Sequence, residues 1–202
     1  GSFQKGNCPA GGVGSYVGYS LAEGAETSNI SQADADSRAW TRYNAEGRAN
    51  ANVYGYCTFY NTAQSRSFRK DDCPAGGTGS LHTYSVAAGV YSSTSSQAAA
   101  DGRALDEING NGQDYANSAG TCTFGNIYMS RTATKNNCGA GQYGSAVTYS
   151  IGAGTYTSTL SQANANSMAQ TDLDSNYQTY ANTNGTCTSE TYSAEMVDYD
   201  SN

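Results

Sequence analysis

Six cysteines are the residues whose spacing in this chain most directly predicts chemistry. Successive cysteines are separated by 49, 16, 49, 16 and 49 residues, and pairing across the 49-residue gaps leaves none over. Pairing across the 16-residue gaps would strand the first and the last cysteine. A metal centre is disfavoured, because the chain has no Cys-x-x-Cys pair and a single histidine. The predicted disulfides are Cys8–Cys57, Cys73–Cys122 and Cys138–Cys187.

The cysteine pairs belong to a pattern that recurs every 65 residues without gaps. It runs from Phe3 to Cys57, from Phe68 to Cys122 and from Ala133 to Cys187. A fixed period of this kind is typical of a tandem array of small units. The predicted domains are repeat 1 (3–57), repeat 2 (58–122) and repeat 3 (123–187), the last two each with a preceding connecting strand, and a partial connecting segment (188–202).

The predicted disulfides also indicate the location of the protein. Units of this size bury small cores, and a disulfide closing a loop of about 50 residues contributes about 4 kcal/mol in the chain-entropy model. Such bonds persist in oxidising compartments, so we expect an extracellular or cell-surface location. No apolar run is long enough to cross a membrane, so we expect no membrane insertion.

Catalysis is disfavoured by comparing the repeats with one another. His82 is the only histidine, and valine stands at the two equivalent positions, which is typical of a tolerated residue at the edge of a core. No acidic position is kept in all three repeats: Asp34, for example, aligns with Ala99 and Asn164. A pair of catalytic carboxylates in every repeat is therefore excluded. We expect no enzymatic activity and no cofactor.

Metal and phosphate sites are weakly indicated. Asp34 and Asp36, or Asn164 and Asn166, offer oxygen ligands, but calcium needs about six and a helix start presents at most two. The glycines of 139–144 fit a dinucleotide pattern, yet a predicted strand follows where that fingerprint needs a helix, so we interpret them as a turn. The sequence predicts no metal site.

Lysine forms the one ionisable position shared by all repeats, at Lys5, Lys70 and Lys135. We expect each to lie at a strand edge, where its charge discourages unwanted pairing. The alternative, an intramolecular isopeptide bond, would need a carboxylate catalyst that no shared position supplies.

The chain has 17 tyrosines. Tyr19, Tyr84 and Tyr149 alternate inward on a predicted strand and are expected in the core. Exposed tyrosine suits contacts with sugars or proteins, because its rigid ring loses little entropy on binding. The candidate ligand contacts are Tyr60, Tyr128, Tyr177 and Tyr192.

Each repeat is predicted to contain strands followed by one helix. Residues 17–21 alternate in the period of a half-buried strand, and a turn at Gly24 is expected to lead into a second, paired strand, as at 90–93 and 155–159. The apolar face of the predicted helix is narrow and consists mostly of small residues, so the helix should lie close to the sheet. The predicted helix N-caps are Ser31, Ser96 and Ser161, and the predicted helix ends are Gly55, Gly120 and Gly185.

Net charge excludes one class of partner. The chain carries a formal charge of −7, with ten Lys and Arg spread over 202 residues. Phosphate contacts need clustered basic residues, so we expect no nucleic-acid binding.

The sequence resembles a repeated domain of unknown function found in tandem in large Bacteroidota cell-surface proteins. The resemblance covers essentially the whole chain and implies a bacterial surface or secreted context, often beside adhesin-like modules. The family offers no catalytic or ligand residues to carry over. The matching segments of repeat 3 are Cys138, 147–151, 154–158, 161–166, 180–182 and 185–187.

These observations predict an α+β fold: a tandem array of three disulfide-stapled units, each a short antiparallel sheet, read as a hairpin, with one packed helix. The function we expect is a non-enzymatic structural segment, a stalk or filament of an adhesin-like surface or secreted protein, whose partners are neighbouring repeats. One alternative is a glycan- or protein-binding module that uses exposed tyrosines. Another is a filament subunit that assembles by strand addition through 188–202.

Overall fold

The computed structural model describes residues 1–190. These residues form three α-helices and fourteen short β-strands. The helices are α1 (Gln32–Tyr54), α2 (Gln97–Ala119) and α3 (Gln162–Asn184). The strands are β1 (Ser2–Gln4), β2 (Gly12–Gly14), β3 (Tyr16–Gly18), β4 (Cys57–Tyr60), β5 (Gln64–Arg69), β6 (Gly77–Gly79), β7 (Leu81–Val86), β8 (Ser92–Ser93), β9 (Cys122–Gly125), β10 (Met129–Thr134), β11 (Gln142–Gly144), β12 (Ala146–Ile151), β13 (Thr157–Ser158) and β14 (Cys187–Ser189).

The predicted fold class is confirmed. Each repeat contributes one helix of 23 residues and short antiparallel strands. Three disulfides, each spanning 49 residues, accompany the three repeats. The disulfides join Cys8 to Cys57, Cys73 to Cys122 and Cys138 to Cys187.

The chain divides into two compact units. The first comprises Gly1–Arg69 and Leu81–Ala119, and the second comprises Lys70–Ser80 and the chain from Gly120 onward. Repeat 2 therefore contributes residues to both units, whereas the domain boundaries predicted above follow the period of the sequence and stay a prediction.

In the first unit, two helices each cover a two-stranded antiparallel sheet. Helix α1 lies against β1 and β3, and α2 lies against β5 and β7. The larger core lies under α2, where Val86, Ala104 and Ile108 are buried together. The buried face of α2 consists mostly of small residues, at Ala100, Ala104, Gly112 and Ala116.

The second unit repeats this arrangement with α3 on β10 and β12. Ile151, Ala169 and Leu173 form its buried core, with Tyr149 packed against them. The same alternation of inward and outward residues positions both sheets under their helices.

Strand pairing differs from the sequence prediction. The turns are present, since Gly24, Gly89 and Gly154 have φ of 74°, 81° and 75°. The short strands after them, β8 and β13, do not pair with the strands before them; they pair with β4 and β9. Strands β7 and β12 instead pair with β5 and β10 over six residues. The six-residue ladders satisfy more backbone hydrogen-bonding groups than a pairing with the two-residue strands would. The segment after each turn therefore leaves the ladder and pairs with the connecting strand.

The helix termini follow the predicted signals with one difference. The Ser31, Ser96 and Ser161 hydroxyls accept N–H groups in the first turn at 3.1–3.2 Å. Gly55 caps α1, but its φ is −73°, so a left-handed conformation is not the reason for glycine. A Cβ at Gly55 would lie 2.6 Å from the Ala51 carbonyl oxygen, and glycine is needed for space.

In each repeat, one strand position and one helix position carry a large and a small residue that complement each other in size. A Cβ on Gly47 or Gly112 would come within 2.1 Å of the Phe3 or Phe68 ring. In repeat 3 the equivalent pair is Ala133 on the strand and Tyr177 on the helix. The large and the small residue have therefore exchanged positions in repeat 3.

Across residues 1–190, we find no helix with both the length and the apolar character needed to cross a bilayer.

Candidate functional site

Within residues 1–190, a network of polar contacts lies at the joint at which one repeat meets the next. The first joint lies in the first unit and consists of β2, β4 and β8 with Asn61. The second lies in the second unit and consists of β6, β9 and β13 with Asn126.

Each joint is built on a connecting strand that pairs on both sides. Strand β4 aligns Cys57 with Gly14 of β2 on one edge and Phe59 with Ser93 of β8 on the other. Strand β9 pairs in the same way with β6 and β13. Because β2 precedes the helix of one repeat and β8 precedes the helix of the next, the connecting strand belongs to both repeats.

A phenylalanine fills the centre of each joint. Phe59 and Phe124 are 4% and 5% exposed. A Cβ on Gly12 would lie 2.9 Å from the Phe59 ring, and one on Gly77 would lie 2.8 Å from the Phe124 ring. Glycine on the paired strand therefore provides the space that the ring occupies.

Asn61 fixes the turn of the following repeat by side-chain and backbone hydrogen bonds. Its side-chain amide donates to the carbonyls of Thr62 (2.7 Å) and Ala87 (2.8 Å), and its Oδ1 accepts the Tyr91 N–H (2.7 Å). Its backbone N–H donates to the Tyr91 carbonyl and its carbonyl accepts the Gly89 N–H, both at 2.9 Å. The residue is 2% exposed, so these bonds are shielded from water.

Asn126 makes the same five bonds in the second joint. Its side-chain amide donates to Ile127 and Gly152, and its Oδ1 accepts the Tyr156 N–H at 2.8 Å. The repetition in two separate places shows that the arrangement is built into the repeat. Sequence reasoning missed both asparagines.

Helix side chains complete the joint. Gln97 donates to the Tyr60 carbonyl at 2.6 Å, and the Asp101 carboxylate accepts the Thr62 N–H at 2.7 Å. Gln162 and Asn166 bind the second connecting strand equivalently. The bonds from Thr62 hold the pKa of Asp101 below its usual value, since they stabilise the ionised form.

Two tyrosines share one carboxylate beneath the turn in repeats 2 and 3. The hydroxyls of Tyr84 and Tyr91 donate to Glu107 at 2.9 and 2.5 Å. These bonds, led by that of Tyr91, lower the pKa of Glu107, and the carboxylate raises the pKa of both phenols. Asp172 accepts the equivalent bonds from Tyr149 and Tyr156.

Repeat 1 replaces this hydroxyl–carboxylate contact with an ion pair. Glu26 stands at the position of Tyr91, Arg42 stands at the position of Glu107, and their charged groups lie 3.2 Å apart. Tyr19 donates instead to Glu46, one helical turn further on. Arg42 binds both Glu26 and Glu46, so these side chains form one network that connects the turn to the helix.

The predicted tyrosine contacts are in different settings. Tyr60 and Tyr128 are 49% and 60% exposed, in the first and the second unit respectively. Tyr177 is half-buried, with the Arg131 guanidinium 3.9 Å from its ring centre, so its face is already covered. Tyr192 lies outside the described residues.

The shared lysines have a different role from the edge protection predicted above. The ammonium groups of Lys5 and Lys135 donate to the carbonyls of Asn52 and Asn182, in the last turns of α1 and α3. A cation there satisfies helix-end carbonyls and interacts favourably with the helix dipole. Lys70 pairs with Asp72 at 2.7 Å.

The other candidate residues make structural contacts. His82 is half-buried and lies edge-on to Tyr115, with ring centres 6.3 Å apart. Asp34 pairs with Arg38 at 2.9 Å, and Asp36 accepts a bond from Gln32 at 2.7 Å. Within residues 1–190, no cluster of three His, Cys, Asp or Glu side chains could hold a metal ion.

Comparison with known proteins identifies a protein family. A family model described as "Family of unknown function (DUF5977)" matches residues 1–58, 59–123 and 124–188. No curated protein and no solved structure matches the chain.

Proposed function

The chain belongs to DUF5977, a family whose function is unknown, and from that premise we propose that it is a non-enzymatic structural repeat segment. The proposed setting is a stalk or filament in a bacterial cell-surface or secreted, adhesin-like protein. Its partners are neighbouring repeats of the same kind. The three disulfides support an extracellular location, because such bonds persist outside reducing compartments.

The observation that carries the proposal is the shared connecting strand. A flexible linker between repeats would be rich in glycine or serine and would leave its backbone in water. Here β4 pairs on both edges and Asn61 binds the next turn by four hydrogen bonds. Such a joint transmits force and orientation from one repeat to the next, which a spacer requires and a catalyst does not.

Small-angle X-ray scattering tests the structural role. We expect the whole chain to scatter as a particle without flexible joints, with a bell-shaped normalised Kratky curve. The variant Asn61→Ala/Asn126→Ala should raise the high-angle arm of that curve, since both turns lose their anchors. Asn184→Ala, on an exposed helix end, is the control and should scatter like the wild type. A wild-type curve typical of freely jointed beads would contradict the structural role.

The exposure of Tyr60 and Tyr128 favours a second function, binding of a glycan or a surface protein. A glycan array probed with the whole chain tests it. We expect any true ligand to be lost in Tyr60→Ala/Tyr128→Ala and retained in Tyr177→Phe, whose ring is already covered by Arg131. Binding that survives the double substitution would exclude these two tyrosines as the contact.

A further inference from the structure

Repeat 1 carries an open groove where the other repeats are filled. The groove has a volume of about 980 Å³ and lies between the turn at 20–28 and the start of α1. Gln32, Asp36, Trp40 and Tyr43 line its helical side. In repeat 2 the equivalent place, between the turn at 87–91 and the start of α2, receives β4 and Asn61.

The polar groups of the groove match those that bind a connecting strand elsewhere. Gln32 and Asp36 stand where Gln97 and Asp101 bind the Tyr60 carbonyl and the Thr62 N–H. The glycine of the turn is left-handed in both repeats, with φ of 74° at Gly24 and 81° at Gly89, and the Gly89 N–H binds Asn61.

In the open groove, Gln32 and Asp36 bind each other. Their side chains are 2.7 Å apart, whereas the equivalent Gln97 and Asp101 are 3.3 Å apart when both also hold the strand. The two groups that would hold an incoming strand are thus present and paired locally.

We propose that this groove binds the connecting strand of another DUF5977 repeat, a segment with phenylalanine followed two residues later by asparagine. The asparagine would bind the turn at 22–26 as Asn61 binds the turn at 87–91. This proposal deepens the structural role proposed above, because it identifies the surface through which a further repeat attaches.

The C-terminal segment of this same chain is a poor occupant. Ser189 and Thr191 stand at the positions of Phe59 and Asn61. The paired strand has changed as well, because Gln142 faces Ser189 where Gly12 faces Phe59. A strand without the ring and without the side-chain amide lacks the groups that make the joint, so the inference assigns the groove to a Phe-x-Asn strand.

The 65-residue period gives a direct test, because residue 66 is equivalent to residue 1. Placing a copy of residues 57–65, with Cys57→Ser, directly before Gly1 of the whole chain reproduces the connection seen in repeat 2. We expect the extension to raise the melting midpoint and to slow amide hydrogen exchange at least tenfold at Gly24 and Glu26.

Two matched extensions serve as controls. One carries Asn61→Ala in the added copy, and the other is a copy of residues 187–195 with Cys187→Ser. We expect each to lose most of the stabilisation and of the exchange protection. Gln32→Ala/Asp36→Ala should weaken the effect of the Phe-x-Asn extension, whereas Arg48→Ala, on an exposed part of α1, should not.

Equal behaviour of all three extensions, or protection that appears away from the turn, would overturn the proposal. The result is separate from the scattering experiment. A chain that scatters as flexible beads while the groove still binds its strand would remove the structural role and leave the binding site.

Discussion

A buried asparagine can hold a turn because its amide presents two donors and one acceptor in a single plane. Asn61 uses one donor on the Thr62 carbonyl of its own segment, and it uses the other donor and the acceptor on the turn, at Ala87 and Tyr91, with donor–acceptor distances of 2.7 to 2.8 Å. The neighbouring Phe59 supplies the apolar part of the joint and excludes water from these bonds. Two residues separated by one position therefore combine hydrophobic burial with specific hydrogen bonding.

Replacing Asn61 with alanine should lower the free energy of unfolding by about 2 to 4 kcal/mol, because unpaired buried backbone groups each cost about 1 to 3 kcal/mol. Urea unfolding followed by circular dichroism measures the loss. Asn184→Ala is the matched control, since Asn184 donates to one carbonyl on an exposed helix end. Equal midpoints for the two variants would show that the Asn61 bonds contribute little.

At the same scale, the sequence predicted several structural residues that appear in all three repeats and missed the joint residues that do not. The N-cap serines and the glycines at 24, 89 and 154 were visible because every copy has them. Asn61 recurs only at Asn126, because Thr191 takes the third position. The carboxylate at 107 and 172 was hidden for a similar reason, since repeat 1 carries Arg42 there and uses Glu46 instead.

At the scale of elements, each helix is fitted to its sheet by a pair of residues of complementary size. Repeats 1 and 2 place phenylalanine on the strand and glycine on the helix, and repeat 3 places alanine on the strand and tyrosine on the helix. The arginine two residues before this strand position lies near the ring of whichever residue of the pair is aromatic. Arg66 lies 5.5 Å from the Phe68 ring centre, and Arg131 lies 3.9 Å from that of Tyr177.

This exchange predicts a strong coupling in repeat 2. Gly112→Tyr alone should destabilise the protein by about 2 kcal/mol or more, because its Cβ already meets the Phe68 ring. Phe68→Ala alone should also destabilise it by creating a void. The double variant Phe68→Ala/Gly112→Tyr reproduces repeat 3 and should recover most of the loss. A double-mutant cycle by chemical denaturation measures the coupling, and strictly additive losses would contradict it.

Sequence reasoning did not predict which strands pair with each other. A glycine turn between alternating segments favours a local hairpin, yet β7 pairs with β5, on the far side of an intervening stretch that contains Cys73. The alternation specifies which residues face the helix, but it does not specify which neighbouring strand shares the hydrogen bonds. Only the positions of β4 and β9 between repeats reveal why the local pairing is not used.

At the scale of the whole molecule, stability depends on disulfides as well as on cores. The buried clusters are small: Val86, Ala104 and Ile108 form one, and Ile151, Ala169 and Leu173 form another. Two of the disulfides have a cysteine in a joint strand, at Cys57 in β4 and Cys122 in β9, and the third has Cys187 in the equivalent strand β14. In repeats 1 and 2 the disulfide therefore holds the strand that also pairs with the following repeat.

Replacing Cys138 and Cys187 with serine should lower the free energy of unfolding by about 4 kcal/mol, the contribution of a closed loop of this length. Differential scanning calorimetry of the whole chain should resolve the loss, with intact mass under non-reducing conditions confirming the two remaining bonds. Met168→Leu, a volume-conserving change at a partly exposed position, should leave the transition unchanged. An unaltered transition in the serine variant would show that the cores suffice.

The shared strands have a consequence for how such a protein can change in length. Repeats 1 and 2 are each followed by a connecting strand that pairs with a strand of the next repeat. A 65-residue repeat that is duplicated or deleted in frame keeps its connecting strand together with it. The strand can therefore pair with the new neighbouring repeat in the same way. The number of repeats can therefore change by whole repeats without a change of sequence at the joints, provided that the Phe-x-Asn pair is retained at every joint.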